Sequence, residues 1–290
     1  MRIINILKQK KPSISLEFFP PKDKTLWPKF FNTVEKLKAV NPAFVSVTYG
    51  AFGTTREYTR EITVRLKKEL GLEPMAHLTC MGASKENIDS FLKGLVSEGV
   101  DNVLALRGDL PEGGALEGEY NEFYYASELV AFIRTHYPHL GIAVAGYPEG
   151  HPDAKNPDED LKFLKYKCDQ EVDFVITQLF FDNTLYWDFV DKARALGIDK
   201  PIIPGILPVA TLSGLKRILS KDCASIPEHF LNCLEKADKK GGNNAVQALG
   251  IEYAIAQAKE LLEKGVPGIH FYTLNRARTC LSIFKALGLI

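Results

Sequence analysis

The sequence predicts a single α/β domain over 1–290, a (β/α)8 TIM barrel with an extra helix between its seventh and eighth strands. Short β-branched and aromatic runs alternate with longer stretches of helical periodicity, giving eight units at a spacing of roughly 30 residues. Several of the short runs are apolar on both faces, as parallel strands wrapped by helices require. No Asn-Gly or Asp-Gly turn joins two adjacent runs, which argues against an antiparallel sheet. An open doubly wound sheet is disfavoured as well, because neither GxGxxG nor GxxxxGK occurs.

The first strand is expected over 13–19, where Ser13, Ser15 and Glu17 alternate with Ile14, Leu16 and Phe18. In a barrel, alternate residues face the interior and chemistry sits at the C-terminal strand ends. The apolar set therefore packs on helices, and Glu17 lies inside near the upper rim. A helix over 29–40 leads to a strand over 44–49 that turns Ser46 and Thr48 inward, and a helix over 59–70 to a strand over 75–80 with His77 and Thr79 inward. The helix over 85–98 ends at Gly99-Val100, glycine supplying the left-handed residue that stops a helix. The fourth strand, 102–108, is phased with Val103, Ala105 and Arg107 inward and Asp109 following them. A helix over 126–135 precedes the strand 142–147, which turns Ala143, Ala145 and Tyr147 inward; a helix over 158–171 precedes the strand 174–181, with Ile176 and Gln178 inward. The helix 186–196, the strand 201–207 and the helix 212–219 complete the seventh unit. Before the last strand, 268–274, both 226–238 and 244–264 have helical character, separated by Lys239-Lys240-Gly241-Gly242, which supplies the extra helix. No linker, low-complexity tract or repeat divides the chain.

Thirty-six basic residues balance 36 acidic ones, so no whole-protein basic field favours nucleic acid. The five cysteines are odd in number and form no CxxC pair, which favours reduced thiols in a cytoplasm. The N-terminal stretch has neither the apolar core nor the cleavage site of a signal peptide. No apolar run approaches the roughly 18 residues of a membrane span. A soluble cytoplasmic protein with no nucleic-acid or membrane partner is expected.

Polar groups from six strands converge on one rim, which points to a small-molecule site. Glu17 stands out, since burying a carboxylate costs several kcal/mol unless it is paired or protonated. Either it forms a salt bridge, with Arg107 the candidate, or desolvation raises its pKa so that it acts as a general acid near neutral pH. Metal chemistry reads poorly: His136 and His139 form an HxxH pair at a helix end beside Pro138, and no metal is expected. No inward lysine near a strand end suits a Schiff-base aldolase, and GxSxG is absent.

The strand-end motifs can now be read together. They are Ser15-Leu16-Glu17-Phe18-Phe19-Pro20-Pro21-Lys22, Val45-Ser46-Val47-Thr48-Tyr49-Gly50, His77-Leu78-Thr79-Cys80, Leu106-Arg107-Gly108-Asp109-Leu110-Pro111, Tyr147-Pro148-Glu149-Gly150-His151-Pro152, Ile176-Thr177-Gln178, Pro204-Gly205-Ile206-Leu207-Pro208 and Phe271-Tyr272-Thr273-Leu274-Asn275-Arg276. In this order, over about 13–285, they resemble methylenetetrahydrofolate reductase, and the length resembles its short bacterial form without a regulatory domain. The resemblance implies a cytoplasmic, homo-oligomeric flavoenzyme of one-carbon metabolism and methionine biosynthesis. Such an enzyme reduces 5,10-methylenetetrahydrofolate to 5-methyltetrahydrofolate with NADH or NADPH through FAD, by a ping-pong sequence. It further implies that Glu17 is the general acid for opening the folate's five-membered ring, and that Asp109 is a carboxylate near flavin and pterin. A negative charge there would favour the cationic iminium while making the flavin harder to reduce. Gln178 and Arg276 match folate-binding positions. Thr48, Tyr49, Ala51, His77, Arg107, Gly108, Asp109, Tyr125, Ala126, Tyr147, His151, Ala154, Asp160 and Lys167 match positions lining FAD, with Arg107, His151 and Lys167 facing its pyrophosphate.

The sequence departs from the family pattern in a longer loop over 111–124, in Leu179 where phenylalanine is usual, and after the seventh strand. There Ile218 stands for an aromatic and Gly214 for a glutamine. Two other readings remain: another flavin barrel, such as a proline dehydrogenase, which would lack the folate contacts, and a catalytically silent folate or flavin binder. Glu17, Asp109 and Gln178 together speak against silence.

Overall fold

The computed structural model describes residues 1–9, 12–49, 56–108, 122–220 and 224–290; Ala51, Asp109 and Cys223 lie outside them. Eight strands close in sequence order, β1 to β8, each neighbour parallel. The order along the chain is α1 (Ile3–Gln9), β1 (Ser13–Phe18), α2 (Trp27–Leu37), β2 (Phe44–Val47), α3 (Arg56–Lys68), β3 (Pro74–Thr79), α4 (Lys85–Ser97), β4 (Asn102–Leu106), α5 (Ala126–His136), β5 (Gly141–Gly146), α6 (Pro157–Asp169), β6 (Phe174–Leu179), α7 (Asn183–Ala195), β7 (Ile202–Ile206), α8 (Leu212–Leu219), α9 (Glu228–Glu263), β8 (Gly268–Tyr272) and α10 (Ala277–Ala286).

Local chemistry sets the helix ends. Ser84, Asn156, Asp182 and Thr211 each accept a backbone N–H at the start of α4, α6, α7 and α8, which satisfies donors the helix cannot pair itself. The expected extra helix and the helix after it are two arms of α9, broken where Gly241 (φ −147°) and Gly242 (φ +57°) leave helical geometry. The sequence reading omitted α10, a ten-residue helix that buries Cys280, Ile283 and Phe284 against the barrel.

Two further differences bear on the barrel interior. The N-terminal stretch is helical: α1 buries Ile3 and Leu7 among Phe44, Met75, Leu104 and Phe174, plugging the barrel opposite the C-terminal strand ends. Burial of two such side chains is worth roughly 1.5–3 kcal/mol each. The plug is fastened by Asn102, whose Oδ1 accepts from the Ile3 N–H at 2.8 Å. The inner face of β4 also needs correction. Leu104 pairs in register with His77 and Ala143 and joins the interior cluster, whereas Val103 and Ala105 pack outward in the cluster that includes helix residues Leu92 and Ile133. Val103, Leu104, Ala105 and Leu106 are all apolar, so alternation says nothing about phase. Arg107, used to set that phase, lies past the end of the strand. On β1, β2, β3 and β6 the expected inward residues Glu17, Ser46, His77 and Ile176 do reach interior contacts.

Candidate active site

Strand register assembles a polar cluster just below the upper rim. Glu17 is opposite Ser46 of β2 and Tyr272 of β8, and Ser15 is opposite His270. Glu17, only 5% exposed, has its Oε2 at 3.4 Å from Ser46 Oγ, 3.3 Å from His77 Nε2 and 3.5 Å from His270 Nε2. Thr273 holds its backbone, donating through Oγ1 to the Glu17 carbonyl at 2.6 Å. Arg107 is not its partner; that guanidinium pairs with Asp153.

The expected upward pKa shift is also overturned. Burial pushes the Glu17 carboxyl up, but the charge of His77, hydrogen bonds from His270 and His77, and the His270 charge together outweigh it. The carboxyl is held at about 2 against an ordinary 4.5. A depressed folded-state value means the unfolded chain binds more protons between those two values. The stabilising contribution of Glu17 is therefore complete above pH 4.5 and lost as pH falls toward about 2. Urea midpoints measured from pH 5 downward should fall more steeply for the wild type than for Glu17→Gln. Parallel slopes would remove this assignment.

One cavity, of about 420 Å³, opens between the ends of β4 and β5 and the helices α5 and α6. Eight of the residues expected to line a cofactor do line it: Arg107, Tyr125, Ala126, Tyr147, His151, Ala154, Asp160 and Lys167. Asp160 is buried rather than on a solvated helix face, and Lys167 Nζ donates to the Ala145 carbonyl at 2.9 Å. Burial pushes Lys167 down, pushes Asp160 up and, with the charge of Arg107, pushes His151 down. An anion entering this wall would favour the charged forms of Lys167 and His151, so the donor set suits a phosphate-bearing cofactor. Gly108 turns the chain at φ +86° beside it.

A second cavity, of about 590 Å³, joins Glu17 to Gln178 and Arg276, with Phe19, Leu179, Leu207, Val209, Ile218 and Tyr272 forming much of its wall. The β6–β7 ladder shifts register between Ile176 and Leu179, and there Gln178 folds back so that its Oε1 accepts from the Leu179 N–H at 2.9 Å. Leu179, Gly214 and Ile218, the departures from the family pattern, all line this cavity.

Not every expected residue joins these walls. His77 belongs to the Glu17 cluster, the Thr48 carbonyl accepts from Thr59 Oγ1 at 3.0 Å, and the Tyr49 ring packs edge-on against Phe91. Ala51 and Asp109 are outside the described residues. Sequence reasoning missed His270, which the alternation with Ile269 and Phe271 on β8 would have turned inward. It also missed Arg217 in the second cavity and the exposed Phe163 and Tyr166 in the first. Those three lie on helix faces where no strand alternation applies.

The family model for methylenetetrahydrofolate reductase matches residues 2–288. Methylenetetrahydrofolate reductase (NADH) 1 of Arabidopsis thaliana is 38% identical over 100% of this chain and 50% of its own length. The 5,10-methylenetetrahydrofolate reductase of Escherichia coli (strain K12) is 36% identical over 95% of this chain and 90% of its own. The chain thus spans about half the length of its plant and yeast relatives. Among solved structures, an uncharacterized protein from Clostridium thermocellum that binds two copies of 5-methyl-5,6,7,8-tetrahydrofolic acid shares the fold, with a TM-score of 0.66 at 17% identity over 97% of this chain and 96% of that one. With a family model covering all but the chain's first residue and last two, and a relative aligned over 90% of its own length, this protein belongs to the methylenetetrahydrofolate reductase family.

Proposed function

We propose that the protein reduces 5,10-methylenetetrahydrofolate to 5-methyltetrahydrofolate with electrons from NADH or NADPH through FAD, in a ping-pong sequence serving one-carbon metabolism and methionine biosynthesis. The observation that carries this reading is the buried Glu17 carboxyl opening into the cavity of Gln178 and Arg276, beside a separate wall of cationic donors. Arg107, His151 and Lys167 fit the diphosphate of FAD, and Tyr125, Tyr147 and Ala154 supply apolar wall around it. Bound FAD supplies the hydride relay between the nicotinamide and the folate methylene carbon. Gln178 and Arg276 orient the folate, while Leu179, Leu207 and Ile218 exclude water from its reacting ring. Glu17 delivers a proton to N10 as the bond from N10 to the methylene carbon breaks, leaving the 5-iminium cation. Asp109, by its place in the family motif, adds negative charge that favours this cation. The same reading makes 1–290 one catalytic domain of a cytoplasmic homo-oligomer, and the free thiols of Cys80, Cys168, Cys233 and Cys280 fit a reducing compartment.

The purified protein is expected to be yellow, to oxidise NADH or NADPH with menadione, and to form 5-methyltetrahydrofolate. A colourless protein that cannot be reconstituted with FAD overturns the reading. Lys167→Met keeps the apolar stem of a largely buried side chain but removes its charge. The FAD Kd should rise by about tenfold, equivalent to roughly 1.4 kcal/mol, with little change in apoprotein unfolding. An unchanged Kd would take Lys167 out of the cofactor wall.

A further inference from the structure

The cavity that holds Glu17 changes character from its floor to its mouth. Glu17 is buried and faces His77 and His270. Leu207, Val209 and Leu215 form a buried apolar stretch of wall. Arg217 and Arg276 line the same cavity but are exposed to solvent, so they mark its mouth. Among the described residues that line it, only Glu17 and these two arginines are charged, so the mouth carries positive charge with no carboxylate beside it. Among the described residues neither guanidinium is paired with a carboxylate, whereas those of Arg2, Arg65, Arg107 and Arg134 each are. Lys216, next to Arg217 on α8, is already held by Glu235 of α9 at 2.9 Å. Arg217 lies instead on the face that meets the cavity, above Gly214 one turn earlier, which adds no side chain to the wall. We infer that Arg217 is a specificity-determining residue of the folate half-reaction: its guanidinium pairs with a carboxylate of the folate's glutamyl tail and so favours folates that carry more than one glutamate. This inference rests on the function proposed above.

The connectivity of the substrate dictates what reaches the mouth. N10, the atom that Glu17 protonates, bears the benzoyl ring, and that ring bears the glutamate through an amide. With N10 at the buried carboxyl, the benzoyl ring runs outward along the apolar wall, and the glutamate carboxylates emerge where Arg217 and Arg276 stand. The first glutamate presents two carboxylates, and each γ-linked addition brings one more. A guanidinium holds one carboxylate through two parallel hydrogen bonds, so Arg276 satisfies one and leaves the others to Arg217. A longer tail therefore gives Arg217 more carboxylates to capture. The pair is partly solvated, which makes it weaker than a buried one and sensitive to salt.

Nicotinamide dinucleotides carry anionic groups as well, and their phosphates are the competing source for this arginine. The folate tail is favoured because the inner end of this cavity is Glu17, a group that only the folate half-reaction uses.

The test is calorimetric titration of the oxidised FAD holoenzyme with 5-methyltetrahydrofolate carrying one glutamate or three. The wild type should bind the triglutamate more tightly. Arg217→Gln keeps nearly the helix propensity of arginine at an exposed position, so α8 should fold as before. It should raise the Kd of the triglutamate by about threefold to tenfold, the range of one partly exposed charge-assisted pair, and that of the monoglutamate by less. Arg217→Glu, which reverses the charge, should raise the triglutamate Kd further. Added salt should shrink the wild-type preference for the triglutamate more than that of Arg217→Gln. The KM for NADH, with menadione as acceptor, should be unchanged in Arg217→Gln. A ratio of triglutamate to monoglutamate Kd that is the same in wild type and Arg217→Gln overturns the inference. So does a loss confined to NADH, which would assign the arginine to a dinucleotide phosphate. Either result leaves the proposed function standing while the wild-type holoenzyme forms 5-methyltetrahydrofolate. A holoenzyme that is reduced by NADH but never reoxidised by methylenetetrahydrofolate of either tail length overturns that function, and this inference with it.

Discussion

Glu17→Gln is expected to remove the folate half-reaction while flavin reduction by NADH or NADPH persists, because only the folate half-reaction needs a proton at N10. Glu17 lines the cavity of Gln178 and Arg276 and is absent from the wall formed by Arg107, His151 and Lys167. Glutamine has nearly the same shape and can keep contacts to Ser46 Oγ and His270 Nε2, so the barrel should fold around it. What it lacks is a proton for N10. Loss of a general acid typically costs 10²–10⁴ in rate, and a poor leaving group such as an arylamine nitrogen places this case toward the upper end. Reoxidation of reduced flavin by methylenetetrahydrofolate should therefore fall by about 10³-fold or more, with flavin reduction changed by less than about twofold. Stopped-flow traces of each half-reaction measure both. Equal losses would mean that Glu17 merely holds the rim together, and the acid would have to be sought elsewhere.

The same residue shows what sequence can and cannot convey. Its inward position on β1 follows from alternation with Leu16 and Phe18, because one face of that strand is apolar and the other polar. Its charge state does not follow, because that depends on His77 and His270, which come to within 3.5 Å through strand pairing and barrel closure. On β4 alternation fails for the opposite reason: both faces are apolar, and the only charged marker, Arg107, lies beyond the last paired residue. The helix α1 is seven residues long and gains its stability from a barrel floor that it does not itself encode. The strand-end motifs are legible because each joins a strand to its loop, where short sequence fixes both conformation and chemistry. Arg217, Phe163 and Tyr166 are not, because a helix face turns toward a cavity only once neighbouring units are packed.

That dependence on packing can be tested far from the reacting groups, at Gly250. On an exposed helix, alanine in place of glycine would stabilise by roughly 0.8–1.0 kcal/mol. Gly250 lies instead on the buried face of the second arm of α9, where an added Cβ would sit 2.0 Å from the Val209 carbonyl oxygen and 3.0 Å from Val209 Cβ. A backbone oxygen cannot swing aside as a flexible side chain can. Gly250→Ala must therefore push α9 off the β7–α8 connection or displace Val209, which is itself buried and lines the cavity of Glu17, Gln178 and Arg276. Overpacking of this kind costs about 1–3 kcal/mol and sometimes more, enough to reverse the gain in helix propensity. The thermal midpoint should drop by several degrees. Folate affinity should weaken with it, because the displaced wall belongs to that cavity, whereas the FAD Kd should hold, because β4, β5, α5 and α6 build the other. A Gly250→Ala protein that melts higher than the wild type would show that α9 does not press on the site wall. One that weakens FAD and folate alike would show that the two cavities do not respond separately.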